Sequence, residues 1–242
     1  MRNDEPRPGF APGGKRPYMK KLIVIEGLDG SGKATQAKLL AQALEGAYSV
    51  RAVSFPDYAS PSSSLVKMYL GGEFGSRPDD VNAYAASSFY AVDRFASFKR
   101  DWQADFERGA VVADRYTTSN AIHQCAKLPE AGWDDFLAWL FDYEYAKLGI
   151  PAPALVIYLR LDPALSQRLL EKRYEGHTER EDIHERDAAY LRRCRRAADY
   201  CAARLGWVTV ECSRDGKLRR VADIQAEIME IVEKELKKVR ML

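Results

Sequence analysis

A stretch beginning at Gly27 has the residue types and spacing of a phosphate-binding loop. Its glycines allow the backbone to turn tightly, so that several N–H groups point at one anion. A lysine at the end of the stretch can reach the β- and γ-phosphates of a nucleotide, and a helix starting there adds its positive dipole end. The stretch consists of Gly27, Leu28, Asp29, Gly30, Ser31, Gly32 and Lys33, followed by Ala34 and Thr35.

The residue after Lys33 departs from the usual pattern, in which a Ser or Thr hydroxyl holds Mg²⁺. Ala34 has no hydroxyl, and a helix turns Thr35 away from that direction by about 100°. A metal ion is therefore expected to be held by water or by carboxylates, for which Asp29 and Asp114 are the candidates.

Two further motifs carry cations that could hold a second anion. Asp114, Arg115 and Tyr116 end an apolar run, where open α/β sheets place their ligands. Arg94 follows a helical stretch that contains Tyr90, so an arginine could hold a phosphate while a ring stacks on a base. Taken alone, Asp93-Arg94 is more often a surface ion pair. Phosphoryl transfer between two anions requires cations on both sides of the moving group.

The sequence predicts that alternating strands and helices position these residues. Short, nearly continuous apolar runs predict strands at Leu22–Glu26, Ala52–Phe55, Ala110–Asp114, Ala154–Leu159 and Val208–Cys212. Helical spacing follows the first strand at Ala37, Leu40, Ala41 and Leu44, and recurs near the C-terminus at Val221, Ile224, Ile228, Ile231 and Leu236. The alternation predicts an α/β three-layer sandwich around a five-stranded parallel sheet.

Composition favours one soluble cytoplasmic domain. The 242 residues carry a net charge of +2, which gives no overall attraction to nucleic acid or membranes. The four cysteines form no CxxC pair, and reduced cytosolic thiols are the simplest interpretation. Residues 1–18 are expected to be a disordered tail, rich in Pro and Gly, before a single domain at 19–242.

The ordered set of motifs resembles the thymidylate kinase family. The set comprises Gly27 to Lys33, Phe55-Pro56-Asp57-Tyr58, Asp93-Arg94, and Asp114-Arg115-Tyr116 followed by Ser119-Asn120. The resemblance runs from Lys21 to about Leu236. It implies a P-loop nucleoside monophosphate kinase fold, transfer of phosphate from ATP to dTMP with Mg²⁺, and no nucleic-acid or membrane partner. A homodimer is compatible with it, because dimers are common in the family.

The same resemblance implies roles for individual residues. Asp29 would hold the sugar 3′-hydroxyl or the metal, Arg115 the acceptor phosphate, and Asp114 would organise Mg²⁺. Arg94 would contact base and phosphate. The remaining acceptor-side residues would be Phe55 and Tyr58 lining the pocket, Tyr90 stacking on the base, Ser119 and Asn120 beside it, and His123 near the sugar, where relatives often carry Tyr.

A charged segment around residues 168–186 is expected to be a mobile lid over ATP. Gly176 and His177 interrupt its helical pattern, as a hinge would. In the family that the chain resembles, this segment can bring arginines to the transferring phosphoryl group. Because the phosphate-binding loop here lacks an arginine, the resemblance implies that a catalytic arginine comes from the lid, with Arg173 and Arg180 as candidates. By resemblance, Asp182 and Glu185 would help to hold the acceptor or its metal.

Two other functions remain open on the sequence. His123 leaves base and sugar preference unsettled, so a deoxynucleoside kinase or another nucleoside monophosphate kinase on the same scaffold is the nearer alternative. A non-catalytic nucleotide-binding module is a distant third. It is disfavoured because Arg94 and Arg115 are retained and because the guanine-reading Asn-Lys-x-Asp pattern is absent from the sequence.

Overall fold

A computed structural model describes residues 21–161, 165–166, 169, 183–184 and 187–240. The predicted tail at 1–18 and most of the predicted lid lie outside these residues. So do four residues predicted to act there: Arg173, Arg180, Asp182 and Glu185.

Five parallel strands form the central sheet, as the sequence predicted. They are β1 Lys21–Gly27, β2 Val50–Ser54, β3 Ala110–Asp114, β4 Leu155–Arg160 and β5 Val208–Glu211. Their order across the sheet is β2-β3-β1-β4-β5, so the connections cross over between non-adjacent positions. The predicted bounds of β3 are those observed, and the ends of the other predicted strands lie within two residues of the observed ones.

Helices cover both faces of the sheet. The α-helices are α1 Lys33–Glu45, α2 Ser64–Leu70, α3 Ala83–Ser97, α4 Gln103–Arg108, α5 Thr117–Cys125, α6 Trp133–Phe141, α7 Ala188–Leu205 and α8 Val221–Arg240. π-helical turns at Phe98–Trp102 and Asp142–Lys147 continue α3 and α6. A short hairpin pairs Ser213–Arg214 (β6) with Lys217–Leu218 (β7). No helix in the ranges that the structure describes is long and apolar enough to cross a membrane.

Alternate residues of β1 pack into different cores, which is why its sequence is continuously apolar. Ile23 and Ile25 pack with α1 and α8, whereas Leu22 and Val24 pack with the aromatic cluster that contains Trp102. The predicted buried faces of the first and last helices are largely confirmed. Val221 is an exception, being 51% exposed because it is the first residue of α8.

Three neighbouring strand tips meet at the carboxyl edge of the sheet. Ile25 of β1 pairs with Asp114 of β3, and Ser54 of β2 pairs with the same residue. The loop after β1 and the residues after β3 and β2 therefore face one crevice, at the position where parallel α/β sheets bind ligands.

Candidate active site

The phosphate-binding loop joins β1 to α1. Gly30 and Gly32 have φ of 80° and 85°, in the left-handed region that glycine adopts without steric cost. Gly32 caps α1, and Lys33 is the first residue of that helix. The context that the sequence predicted, strand then loop then helix, is therefore present.

Two glycines are required because the backbone has close neighbours. A Cβ on Gly27 would lie 2.8 Å from the carbonyl oxygen of Leu159, and one on Gly30 would lie 3.2 Å from that of Ser166. The hydroxyl of Ser166 also donates a hydrogen bond of 2.6 Å to the Asp29 carbonyl oxygen. Leu159 of β4 and Ser166 therefore pack directly against the loop.

Three charged side chains of the site lie in direct contact. Lys33 Nζ donates to the Leu28 carbonyl oxygen at 3.0 Å and lies 3.4 Å from Asp29 Oδ1. Arg115 Nη2 donates to the same Asp29 oxygen, and Arg115 Nη1 donates to Ser119 Oγ at 3.3 Å. The structure thus brings the predicted donor-side lysine and acceptor-side arginine to one carboxylate.

Each of these charges alters the pKa of its neighbours. Burial opposes ionisation of Asp29, but the charges of Arg115 and Lys33 outweigh it and hold the pKa of Asp29 well below its usual value. Burial and the nearby Arg115 cation lower the pKa of Lys33. Burial opposes the cationic form of Arg115, but Asp29 and Glu26 outweigh it and raise the pKa of Arg115. Asp29 and Arg115 are therefore fixed in their charged forms.

The backbone at Arg115 is strained in order to place its side chain. Its φ of 66° lies in the left-handed region, which is uncommon for a non-glycine residue and costs about 1–3 kcal/mol. The Arg115 N–H donates to the carbonyl oxygen of Ile25 at 3.2 Å, which continues the β3–β1 ladder past the strand end. Strain of this kind is concentrated at functional sites.

Glu26 is a buried carboxylate that the sequence interpretation overlooked. It accepts hydrogen bonds from Thr118 Oγ1 at 2.6 Å and Ser119 Oγ at 2.9 Å, and from the Gly27 N–H at 2.9 Å. It ties the start of the phosphate-binding loop to α5. A charged residue directly after the apolar run Leu22–Ile25, within the same predicted strand, was the signal that could have identified it.

Arg94 is fully buried and paired with Glu144, a second residue that was overlooked. Arg94 Nε donates to Glu144 Oε2 at 2.7 Å, and Nη2 donates to Oε1 at 2.5 Å. Glu144 also accepts from Thr117 Oγ1 at 2.7 Å and from Asn120 Nδ2 at 3.1 Å. Burial disfavours the cation, but Glu144 outweighs this and raises the pKa of Arg94.

The interpretation of Asp93-Arg94 as a surface ion pair is wrong, because both residues are buried and bind different partners. Asp93 Oδ2 accepts from the Asp57 N–H at 2.9 Å, and Oδ1 accepts from Ser62 Oγ at 2.6 Å. Asp93 thereby holds the loop after β2 against α3.

The three aromatic residues predicted for the acceptor pocket differ in their exposure. Phe55 is buried against Trp102 and Tyr116, whereas Tyr58 is 52% exposed. Tyr90 is partly buried and meets Tyr69 edge-on, with ring centroids 6.3 Å apart.

His123 lies on α5, one helical turn beyond Ser119. Its Nδ1 is 3.4 Å from the Tyr190 hydroxyl and 3.5 Å from Cys194 Sγ. Burial, and then the charge of Arg115, lower its pKa to about 3. His123 is therefore neutral at physiological pH.

Asp114 and Asp29, the two predicted metal ligands, differ in availability. Asp114 Oδ1 is buried and has no hydrogen-bond partner among the described residues, whereas Asp29 is paired with Arg115 and Lys33. No group of three or more His, Cys, Asp or Glu side chains in the described ranges could hold a metal by itself. Mg²⁺ does not require such a group in a nucleotide site, since phosphates and water supply most of its ligands.

The parallel sheet, the phosphate-binding loop and the cations at the neighbouring strand tips define a P-loop nucleoside monophosphate kinase, a phosphotransferase. A sequence model of the thymidylate kinase family matches residues 25–224, and the chain belongs to that family.

Individual relatives agree with this assignment. The chain is 34% identical to the thymidylate kinase of Mycobacterium tuberculosis over 179 aligned residues. The alignment covers 71% of this chain and 81% of that protein. The chain is 26% identical over 215 residues to a probable thymidylate kinase of Pyrobaculum aerophilum, covering 88% and 96%. The solved structure of thymidylate kinase from Candida albicans superposes with a TM-score of 0.64 at 22% identity, covering 88% and 91% of the two chains, and supports the fold.

Proposed function

We propose that the chain transfers the γ-phosphoryl group of ATP to the phosphate of dTMP, using Mg²⁺, in the synthesis of dTTP. The observation that carries the proposal is the contact of Lys33 and Arg115 with one carboxylate, Asp29. A donor cation and an acceptor cation are thereby placed side by side, as in-line transfer between two anions requires.

The donor phosphates would bind in the loop between Gly27 and Lys33. Its glycines leave no room for side chains at Gly27 and Gly30, and the space beside Gly32 is open. Ser31 Oγ is buried and has no hydrogen-bond partner in the described part of the chain, so it can donate to a phosphate oxygen. Lys33 would exchange its contact with the Leu28 carbonyl for the transferring phosphate.

The acceptor phosphate would bind Arg115, which Asp29 and Ser119 orient. The base would lie between Tyr90 and the pair of Arg94 and Asn120, and His123 would face the sugar. The lid residues Arg173 and Arg180, with Asp182 and Glu185, remain sequence predictions for closing the site.

Mg²⁺ would be held by Asp114, whose buried Oδ1 suits a hard cation that prefers carboxylate oxygen. When bound, the ion supplies charge neutralisation to the phosphates. Asp29 would orient Arg115 rather than bind the metal directly, because Arg115 and Lys33 already occupy one of its oxygens.

The four cysteines are free and buried, as in proteins of reducing compartments, and we place the enzyme in the cytoplasm.

Tyr84 and Val92 are exposed on α3 and form one candidate surface for a homodimer. Sedimentation of the wild type and a Tyr84→Asp variant would test it.

A steady-state assay with ATP and Mg²⁺ over dTMP, dUMP, UMP, dCMP, dGMP and thymidine tests the proposed reaction. We expect the highest kcat/KM with dTMP. Phosphorylation of thymidine without turnover of dTMP would support a deoxynucleoside kinase instead. Preference for another nucleoside monophosphate would agree with the proposed reaction class but would contradict dTMP as the acceptor.

A further inference from the structure

The Asn120 amide has one chemically permitted orientation, because both partners of Nδ2 can only accept hydrogen bonds. Nδ2 donates to Glu144 Oε1 at 3.1 Å and to the Ser87 carbonyl oxygen at 3.1 Å. Turning the amide over would set its oxygen against two other oxygens. Within the described residues, the hydrogen bonds of this side chain all use Nδ2, so Oδ1 is left as an acceptor for a ligand.

The Glu144 carboxylate also determines which N–H groups of Arg94 are left to donate to a ligand. Glu144 takes Nε–H and one Nη2–H of that guanidinium, and a long contact of 3.5 Å joins Nη1 to the Tyr116 carbonyl oxygen. Of the five N–H groups of an arginine, two therefore remain to donate elsewhere. Glu144 itself is buried, and its two oxygens accept four hydrogen bonds in total.

From this geometry we propose that Glu144 is a specificity-determining positioning residue, which sets the hydrogen-bond pattern presented to the acceptor base. It forces Arg94 to present donors and Asn120 to present an acceptor. The inference rests on the proposed function, which places the base beside Arg94 and Asn120.

A donor beside an acceptor complements a base edge on which a carbonyl adjoins a ring N–H. Thymine and uracil have that edge. Cytosine presents the opposite arrangement, a ring-nitrogen acceptor beside an amino donor, and would leave Asn120 Oδ1 facing another acceptor. A site that leaves buried polar groups unpaired discriminates strongly against such a ligand.

The test is the ratio of kcat/KM for dTMP to that for dCMP in Glu144→Gln. The replacement has the same shape, but its amide nitrogen can donate to Asn120, so that only the Ser87 carbonyl oxygen still opposes turning that amide over. We expect the ratio to fall by about tenfold or more, while the KM for ATP stays within about twofold. Lost packing alone would lower stability without changing which base is preferred.

Two further variants make the result decisive. Glu144→Asp keeps the charge that Arg94 requires but shortens the reach to Asn120, so it reports on selectivity even where Glu144→Gln does not fold. Asp142→Asn makes the same carboxylate-to-amide change on the same π-helical turn, at an exposed residue paired with Lys147, and should leave the ratio unchanged.

A folded Glu144 variant whose ratio stays within twofold of the wild type would overturn the inference and leave the proposed function intact. A wild-type enzyme that does not use dTMP would instead reject the proposed function. The base of dGMP has the same carbonyl and N–H edge as thymine but is larger. Measuring kcat/KM for dGMP therefore distinguishes the effect of the hydrogen-bond pattern from the effect of pocket size.

Discussion

The imidazole rings of His123 and His184 are stacked, with centroids 5.4 Å apart and ring planes inclined by 13°. His184 Nε2 lies 2.9 Å from the Tyr69 hydroxyl, which also accepts a hydrogen bond of 2.8 Å from Lys127. Burial, together with positive charges on Arg115 and Lys127, keeps the pKa of both rings below the usual value. Stacked rings in this setting are stable only when neutral.

Acidification should therefore destabilise the fold through His123. The unfolded chain binds a proton at this residue near pH 6.5, whereas the folded chain does not until about pH 3. Stability from the neutral ring is fully present above pH 6.5 and is lost as pH falls. Between pH 7 and pH 5 we expect His123 to account for a loss of about 2 kcal/mol in the free energy of unfolding.

Urea denaturation at the two pH values measures this loss. His123→Gln should reduce the difference between pH 7 and pH 5 without abolishing it, because His184 contributes in the same direction. An equal difference in the wild type and the variant would mean that His123 has the same pKa in the folded and unfolded chains, and would contradict the prediction.

Lys33 is predicted to act on the reaction and not on the fold. Lys33→Met should lower kcat by about 10²–10³, because a preorganised cation at the transferring phosphate is lost. Lys38→Met, on the exposed face of the same helix, is the matched control and should retain activity. Near-normal turnover in a folded Lys33→Met enzyme would contradict the phosphate-binding role.

The sequence predicted the sheet and the loop because both depend on local patterns. A continuous apolar run such as Leu22–Ile25 can only be buried on both faces, and glycines at fixed spacing permit few backbone paths. Parallel strands then bring their carboxyl ends together, which placed Asp29 near Arg115 without knowledge of any contact.

The partners of Arg94 could not be predicted in the same way. Glu144 lies 50 residues further along the chain, on a π-helical turn that no local pattern announces. The sequence suggested a surface pair with Asp93 because adjacent opposite charges are usually exposed. Only the fold, which buries both residues, shows that Asp93 supports a loop and that Arg94 is held by the π-helical turn after α6.

Asp114 and Asp29 should respond differently to Mg²⁺. Asp114→Asn removes a buried carboxylate oxygen that has no hydrogen-bond partner among the described residues, so half-saturation by Mg²⁺ should require about tenfold more metal. Asp29→Asn weakens the ion pair that orients Arg115, so it should mainly lower kcat. Its Mg²⁺ concentration for half-saturation should stay within about twofold of that of the wild type. Titration of initial rates with Mg²⁺ at saturating nucleotide distinguishes the two, and the reverse pattern would exchange their roles.

Arg115 needs the planar shape of its guanidinium as well as its charge. One nitrogen donates to Asp29 and the other to Ser119, with Glu26 4.0 Å away, and a single ammonium group cannot span these positions. Arg115→Lys should therefore raise the KM for the acceptor nucleotide about tenfold and lower kcat, with the KM for ATP nearly unchanged. Arg108→Lys, at an exposed position, controls for the substitution itself. Equal increases in both KM values would indicate that Arg115 serves the donor and acceptor alike, and would contradict its assignment to the acceptor phosphate.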